Sequence, residues 1–227
     1  QDVFLYYKTH ALLQKLDCLV MICDILSDEN GWGWDPDRTR YNTVRHALLQ
    51  QNASLLQLRV ASALQYLDRN VPDVDRRRLA AMGWCLGGQP LLELAPLTRT
   101  DYPDYNFQVL ISFHGVFARD SSSLHLPESL KVQGPSHETN NSGAPKRMLL
   151  CNGREDPFVT PDDLTEAMAF FTGCGYNVEL LQIPNAKHGF TNPAQAYNTN
   201  PAFEFCKEGS VLAWTKSLEM LTQSLFE

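Results

Sequence analysis

A thiol lies at the centre of a glycine-rich turn, where the chain could supply a nucleophile. The run from Leu79 to Gly88 reads LAAMGWCLGG, a short apolar segment that leads into Cys85. Gly83 and Gly87 flank the cysteine, and small residues are needed where a strand turns sharply into a helix. A helix that begins there favours the thiolate and offers N–H groups to an oxyanion. The alternative is a buried cysteine beside a glycine turn, because short motifs also match by chance.

A general base and an acid to orient it follow farther along the chain. Residues 148–153 form a short apolar run that ends in a polar turn, and that turn contains Asp156. Residues 178–183 form the next apolar run, and the loop after it contains His188. The order nucleophile, acid, histidine is that of the α/β-hydrolase arrangement, in which each residue lies on a loop after a different strand. The sequence therefore predicts a site built from a thiol, a carboxylate and an imidazole.

Simpler interpretations of the downstream residues stay open. Asp156 could be an ordinary turn residue, and the neighbouring Glu155 is its nearest rival for the acid role. His188 could be a loop histidine that packs beside Phe190. His114 also lies at the end of a predicted strand near the same edge of the sheet, and we expect a structural role for it.

Four motifs in a fixed order make the sequence resemble the dienelactone hydrolases (carboxymethylenebutenolidases). They are GWCLGG at 83–88, SFHG at 112–115, DPFV at 156–159 and HGFTNP at 188–193. That family has an α/β-hydrolase fold and a Cys-His-Asp triad. The resemblance implies that Cys85 is the nucleophile, His188 the base and Asp156 the residue that orients the imidazole. It also implies that the backbone N–H of Leu86 is one donor of the oxyanion hole.

Alternating helical and strand patterns predict an α/β fold with a mostly parallel sheet and helices on both faces. Helices are predicted over residues 3–16, 56–67 and 211–225. A further helix is predicted to begin after the N-cap Thr160 and to end at Gly173 and Gly175. The predicted strands are 18–25, 79–84, 109–115, 148–153 and 178–183. In the last helix, the apolar spacing predicts that one face packs on the sheet through Val211, Trp214, Leu218, Leu221 and Leu225.

The beginning of the chain departs from the family's pattern. If the family's strand order holds, a central strand and the loop after it should precede the first helix, and residue 1 falls too late to supply them. A gap there would leave backbone groups unpaired in the interior, at a cost of about 1–3 kcal/mol each. We therefore expect an upstream segment, or a partner, to complete the sheet and to supply the second oxyanion donor.

Composition indicates one domain over residues 1–227 and excludes some partners. With 227 residues, of which 44% are hydrophobic, the chain is long enough to bury a single core. The net charge of −7 argues against nucleic acid or an anionic membrane, since either would favour a basic surface. No apolar run reaches the roughly 18 residues of a membrane span, so we expect no membrane insertion.

Six cysteines do not require disulfides in a chain of this size. A reducing compartment is the simpler interpretation, and we expect a soluble intracellular protein in the cytoplasm or an organelle. No pair of cysteines has the C-x-x-C spacing of a zinc site. The sequence therefore predicts neither a metal nor a cofactor.

These observations favour a hydrolase that cleaves a small ester, lactone or thioester through a thioester intermediate. The sequence does not determine which ester, lactone or thioester is the substrate, because Asn192 occupies the position where the best-known family members have a carboxylate-binding arginine. The alternative is a weakly active or inactive hydrolase-like subunit with a structural or binding role in a larger assembly. The incomplete start and the long polar segments 27–40 and 119–144 motivate that alternative.

Overall fold

Four apolar runs pair into a parallel sheet in the computed structural model, which describes residues 3–26, 38–118 and 145–227. The strands are β1 (Leu79–Trp84), β2 (Phe107–Phe113), β3 (Arg147–Gly153) and β4 (Asn177–Ile183). Their order in the sheet is their order in the chain, and every neighbouring pair is parallel. All four carboxyl ends therefore lie at one edge of the sheet, and Cys85, Asp156 and His188 each follow one of these strand ends.

Three helices pack on this sheet: α3 (Gly88–Thr100), α4 (Pro161–Gly173) and α5 (Lys207–Leu225). Every residue of β2 is buried, as expected for a strand that is covered on both faces. The ring of Phe113 on β2 lies 6.4 Å from the ring of Trp214 on α5. Ser112, its neighbour on the other face, lies on the side of Gly115 and α3. The fold is thus the predicted mixed α/β arrangement.

Local sequence signals fix the start of α4. The hydroxyl of Thr160 accepts a hydrogen bond from the Asp163 N–H at 3.1 Å, and the Asp163 carboxylate accepts from the Thr160 N–H at 2.8 Å. This reciprocal pair is a capping box, with Pro161 at the first helical position. Gly175 follows the helix with a φ of +90°. The helix therefore begins and ends where its residues predicted.

The buried face of α5 agrees with the prediction only in part. Leu221 is buried and Trp214 lies against Phe113 of the sheet, as predicted, whereas Val211 is 59% exposed. The buried residues of this helix are Gly209, Ser210, Ala213, Ser217, Met220 and Leu221. The small residues let the helix approach the sheet closely, and a Cβ added to Gly209 would lie only 2.5 Å from Ile183. Close approach, and not the position of the largest side chains, decides which face is buried.

Two compact units divide the chain, Gln1–Pro72 and Asp73–Glu227, and the sheet belongs to the second. The first contains α1 (Val3–Leu16) and α2 (Arg38–Asn70). Residues 3–16 form the predicted helix, and α2 contains the predicted 56–67 helix within a longer one. The prediction of a single domain over 1–227 stays a prediction.

The predicted strand at 18–25 is wrong. None of the described residues pairs with this segment, and a strand is defined by the backbone groups of a neighbour. A short apolar run does not by itself specify a strand, and none of residues 18–25 is buried. The polar segment at 27–40 begins outside the described residues and ends inside α2, and the segment at 119–144 lies outside them.

Candidate active site

Cys85 lies at a strained turn at the end of β1. Its φ is +53°, in the left-handed region that side chains rarely adopt, and it begins a short 3-10 turn that leads into α3. A Cβ added to Gly83 would lie 2.1 Å from the backbone oxygen of Gly87, so only glycine fits there. A Cβ added to Gly87 would meet nothing within 4 Å. The crowding predicted between the strand and the helix therefore occurs at Gly83 and not at Gly87.

Asp156 lies in the turn after β3, and the neighbouring loop holds that turn. The Arg154 N–H donates to the Ile183 carbonyl and the Glu155 N–H donates to the Ala186 carbonyl, each at 3.0 Å. The Asp156 side chain is buried, and its Oδ1 accepts a hydrogen bond from the Phe158 N–H at 2.9 Å. Glu155, the rival acid, is exposed.

The imidazole of His188 connects the other two predicted residues. Its Nδ1 lies 2.8 Å from Asp156 Oδ2, and its Nε2 lies 3.1 Å from Cys85 Sγ. All three residues belong to the unit Asp73–Glu227. Their contacts have the geometry of a nucleophile, a base and an orienting acid, in which each group is within hydrogen-bond reach of the next.

Three rings enclose the imidazole, and two of them were not predicted. The rings of His114, Phe158 and Phe203 lie 4.9, 5.1 and 5.3 Å from the ring of His188, all at steep angles. The backbone also fixes this loop, since the His188 N–H donates to the Ala202 carbonyl at 3.2 Å. Phe158 follows the acid in the DPFV motif and could have been found from it. Nothing in the sequence pattern indicates Phe203.

The protonation of His188 depends on its two partners. Burial has the largest single effect and lowers the pKa, but hydrogen bonds and charge interactions with Asp156 and Cys85 together outweigh it and raise the pKa to about 9. The imidazole therefore holds a proton at neutral pH. A cationic imidazole 3.1 Å from the sulfur is placed to stabilise negative charge that develops on the sulfur during a reaction.

We predict that the stabilising effect of the Asp156 charge depends on pH. The pKa of His188 is raised from its ordinary value of 6.5 to about 9, so its protonation stabilises the fold fully below pH 6.5. This contribution is lost as the pH rises through about 9. We expect the Asp156→Asn substitution to lower the free energy of unfolding more at pH 6 than at pH 10, as measured by urea denaturation. An equal loss at both pH values would contradict the prediction.

Leu86 is buried, and its backbone N–H is the second of the 3-10 turn Cys85–Gly87. The first N–H groups of a helical segment have no acceptor within it, so they are available to an anion. This is the position expected for an oxyanion donor beside the sulfur.

The described ranges contain neither a cluster of metal ligands nor a membrane-spanning helix. Residues 3–26, 38–118 and 145–227 contain no group of three or more His, Cys, Asp or Glu side chains placed to hold a metal ion. In the same ranges, no helix combines the length and the apolar character needed to cross a bilayer.

Comparison with solved structures shows the fold. The structure named m3DLH has a TM-score of 0.66 and 24% identity, over 87% of this chain and 73% of that chain. A dienelactone hydrolase-like promiscuous phosphotriesterase, P91, from metagenomic libraries has a TM-score of 0.61 and 23% identity, over 86% and 71% of the two chains. MGS-M1, an α/β-hydrolase from a Medee basin deep-sea metagenome library, has a TM-score of 0.51 and 17% identity, over 79% and 67%.

Comparison with sequence families is more specific. No curated protein matches the chain. The model of the dienelactone hydrolase family matches residues 18–225, which is nearly the whole chain and includes all four motifs. The chain therefore belongs to the dienelactone hydrolase family of ester-cleaving enzymes.

Proposed function

We propose that the protein hydrolyses a small ester, lactone or thioester with Cys85 as the nucleophile. The observation that carries this proposal is the continuous chain of contacts through His188, with 2.8 Å to Asp156 and 3.1 Å to Cys85. A structural subunit has no need for a thiol, an imidazole and a carboxylate in this arrangement. In this proposal His188 is the general base and Asp156 keeps its ring oriented.

The first half of the reaction transfers the acyl group to sulfur. The proton that Cys85 and His188 share lies on His188 Nε2 at the start of the reaction, and the sulfur attacks the carbonyl carbon of the substrate as a thiolate. The carbonyl π electrons move to oxygen, which becomes an oxyanion. When the C=O bond re-forms, the bond to the leaving oxygen breaks, and that oxygen takes the proton from His188. The products are an alcohol and a Cys85 thioester.

The second half returns the enzyme to its starting state. His188 takes a proton from water, and the hydroxide attacks the thioester carbonyl. Collapse of this second oxyanion breaks the C–S bond, and the sulfur takes the proton from His188 or remains a thiolate beside it. Asp156 stays ionised throughout and stabilises the imidazolium in both halves.

The oxyanion needs donors that point at it before the reaction begins. We assign one donor to the Leu86 N–H, which follows the nucleophile in the 3-10 turn. Loss of one such donor typically costs about 100- to 1000-fold in rate. The second donor stays a prediction, as does its position in an upstream segment.

Substrate size and charge are less constrained than the reaction class. The Asn192 side chain accepts a hydrogen bond from the Ala194 N–H at 3.0 Å and caps a short 3-10 turn. That residue has a structural task at the position where the family's arginine would hold a carboxylate. We therefore propose a substrate without the dienelactone carboxylate as the first to test.

Trapping of the thioester tests the proposal directly. We expect p-nitrophenyl acetate to give a burst of p-nitrophenolate, and acid quenching to leave an acetyl group on the peptide that contains Cys85. Peptide mass spectrometry locates the acetyl group, and Cys206, which is also partly accessible, is the internal control. Acetylation of another residue, or turnover without acetylated Cys85, would contradict the mechanism. Absence of both turnover and acetylation would favour the non-catalytic subunit.

A further inference from the structure

The segment that leaves β2 contacts both the nucleophile and the base. Within this exit segment (His114–Val116), the Val116 N–H donates to the Cys85 carbonyl at 3.0 Å. At its other end, His114 Nε2 lies 3.0 Å from the hydroxyl of Thr191, three residues after His188. One short segment therefore joins the two loops whose separation sets the distance from sulfur to imidazole.

His114 is fixed tightly in this position. Its backbone N–H donates to the Cys151 carbonyl on β3 at 2.7 Å, and its φ of +41° is in the left-handed region. Its ring lies 4.9 Å from the ring of His188 and 5.6 Å from the ring of Phe190. The side chain is 4% exposed. Such a constrained and buried histidine is more costly than an apolar residue would be, and this cost calls for an explanation.

The environment keeps His114 uncharged. Burial lowers its pKa well below the usual value, and the charge of His188 lowers it further. Among the described residues, its Nδ1 has no hydrogen-bond partner, which leaves the bond to Thr191 as the polar contact of the ring. A neutral ring can lie against the imidazolium of His188 without charge repulsion.

We propose that His114 is a positioning residue that holds the base loop at the nucleophile through its hydrogen bond with Thr191. The exit segment fixes Cys85 at one end and Thr191 at the other, so this bond sets the distance from Cys85 Sγ to His188 Nε2. The inference rests on the proposed roles of Cys85 and His188. It adds to them a residue that acts through Thr191 and the ring of His188.

Two substitutions break the bond in different ways. Thr191→Val removes the hydroxyl and keeps the volume, and His114→Phe keeps a ring and removes its nitrogen atoms. We expect each to lower kcat by about tenfold to 100-fold with KM little changed, since misplacement of a reacting group by about 1 Å has effects of that size. Thr191→Ser, which keeps the hydroxyl, should retain most of the activity.

A readout without substrate separates positioning from loss of stability. We expect iodoacetamide to alkylate wild-type Cys85 faster than Cys206 at pH 6, because a cationic imidazole lies 3.1 Å from the Cys85 sulfur. The ionisable groups that face His188 are Asp156, Cys85 and His114. In Thr191→Val and His114→Phe, the ratio of the alkylation rate at pH 6 to that at pH 10 should fall by about tenfold, in line with the expected loss of kcat.

Thr98→Val is the matched control. Thr98 is a buried threonine near the end of α3, and its hydroxyl donates to the Leu94 carbonyl at 3.1 Å. This variant should lower Tm and leave both kcat and the alkylation ratio unchanged. The positioning role is overturned if Thr191→Val and His114→Phe, like Thr98→Val, leave kcat and the alkylation ratio unchanged. If only one of the two variants folds, the same result in that variant overturns it.

The two proposals fail in distinguishable ways. If wild-type Cys85 is alkylated at pH 6 no faster than Cys206, the activated nucleophile is absent and both proposals fail. If wild-type Cys85 reacts fast and the two variants leave its ratio unchanged, the proposal for His114 fails and the proposed function stands.

Discussion

Replacement of Cys85 by alanine should lower kcat/KM for p-nitrophenyl acetate by at least about 10⁴-fold, the scale seen when a catalytic nucleophile is removed. The reason is that no thioester can form without the sulfur, so His188 and the oxyanion donor would act on water alone. Alanine has a Cβ as cysteine does, so the strain at the φ of +53° is the same in both proteins. We therefore expect Tm to stay close to that of the wild type in a thermal melt.

Cys206→Ala is the control for this experiment. Cys206 is half-buried like Cys85, and its sulfur accepts a hydrogen bond from the Gly209 N–H at the start of α5. Its replacement should change stability slightly and leave kcat/KM intact. If Cys85→Ala retained more than about a tenth of the wild-type kcat/KM, a factor worth only about 1.4 kcal/mol, another group would be the nucleophile.

Replacement of Gly83 by alanine should destabilise the fold by more than about 3 kcal/mol, the upper part of the range for overpacking. The new Cβ would lie 2.1 Å from the backbone oxygen of Gly87, and neither the strand that carries Gly83 nor the turn that contains Gly87 can move freely. Any relief shifts the turn that carries Cys85. We therefore expect a lower midpoint in urea and a loss of esterase activity in the fraction that still folds.

Gly87→Ala is the matched substitution at the other glycine of the same motif. Gly87 has a φ of −61°, and its Cβ would meet nothing within 4 Å. The free energy of unfolding of Gly87→Ala should stay within about 1 kcal/mol of that of the wild type, since alanine is compatible with this backbone conformation. Urea denaturation of the two variants side by side checks the pair of predictions. Equal losses of stability would show that the crowding around the turn is not as the structure has it.

The positions of the site residues could be predicted because each follows a strand whose end is marked in the sequence. The apolar runs that became β1, β3 and β4 end at Cys85, in the turn before Asp156 and in the loop before His188. Parallel strands place their carboxyl ends at one edge, so chain order alone brought the three residues together. The fold class was predictable for the same reason.

Features that depend on close contact between distant parts of the chain could not be predicted. Phe203 packs on His188 only because a single bridge pairs the two backbones, and no periodic pattern marks that bridge. The exposure of Val211 follows from the fit of Gly209 against Ile183, which apolar spacing cannot express. The segment 18–25 was wrongly predicted as a strand because its composition carries no information about a neighbour.

The hydrogen bonds that join the acid turn to the base loop have a consequence for how the site fluctuates. Arg154 and Glu155 are bonded directly to the loop that leads to His188. The carboxylate and the imidazole therefore belong to one small rigid body, and the sulfur belongs to another at the end of β1. A displacement between these two bodies would leave the distance from Nδ1 to the carboxylate unchanged and would alter the distance from Nε2 to the sulfur. The reach of the base for the thiol is therefore the distance in the site that depends on the contact between the two bodies, which the hydrogen bond of His114 with Thr191 supports.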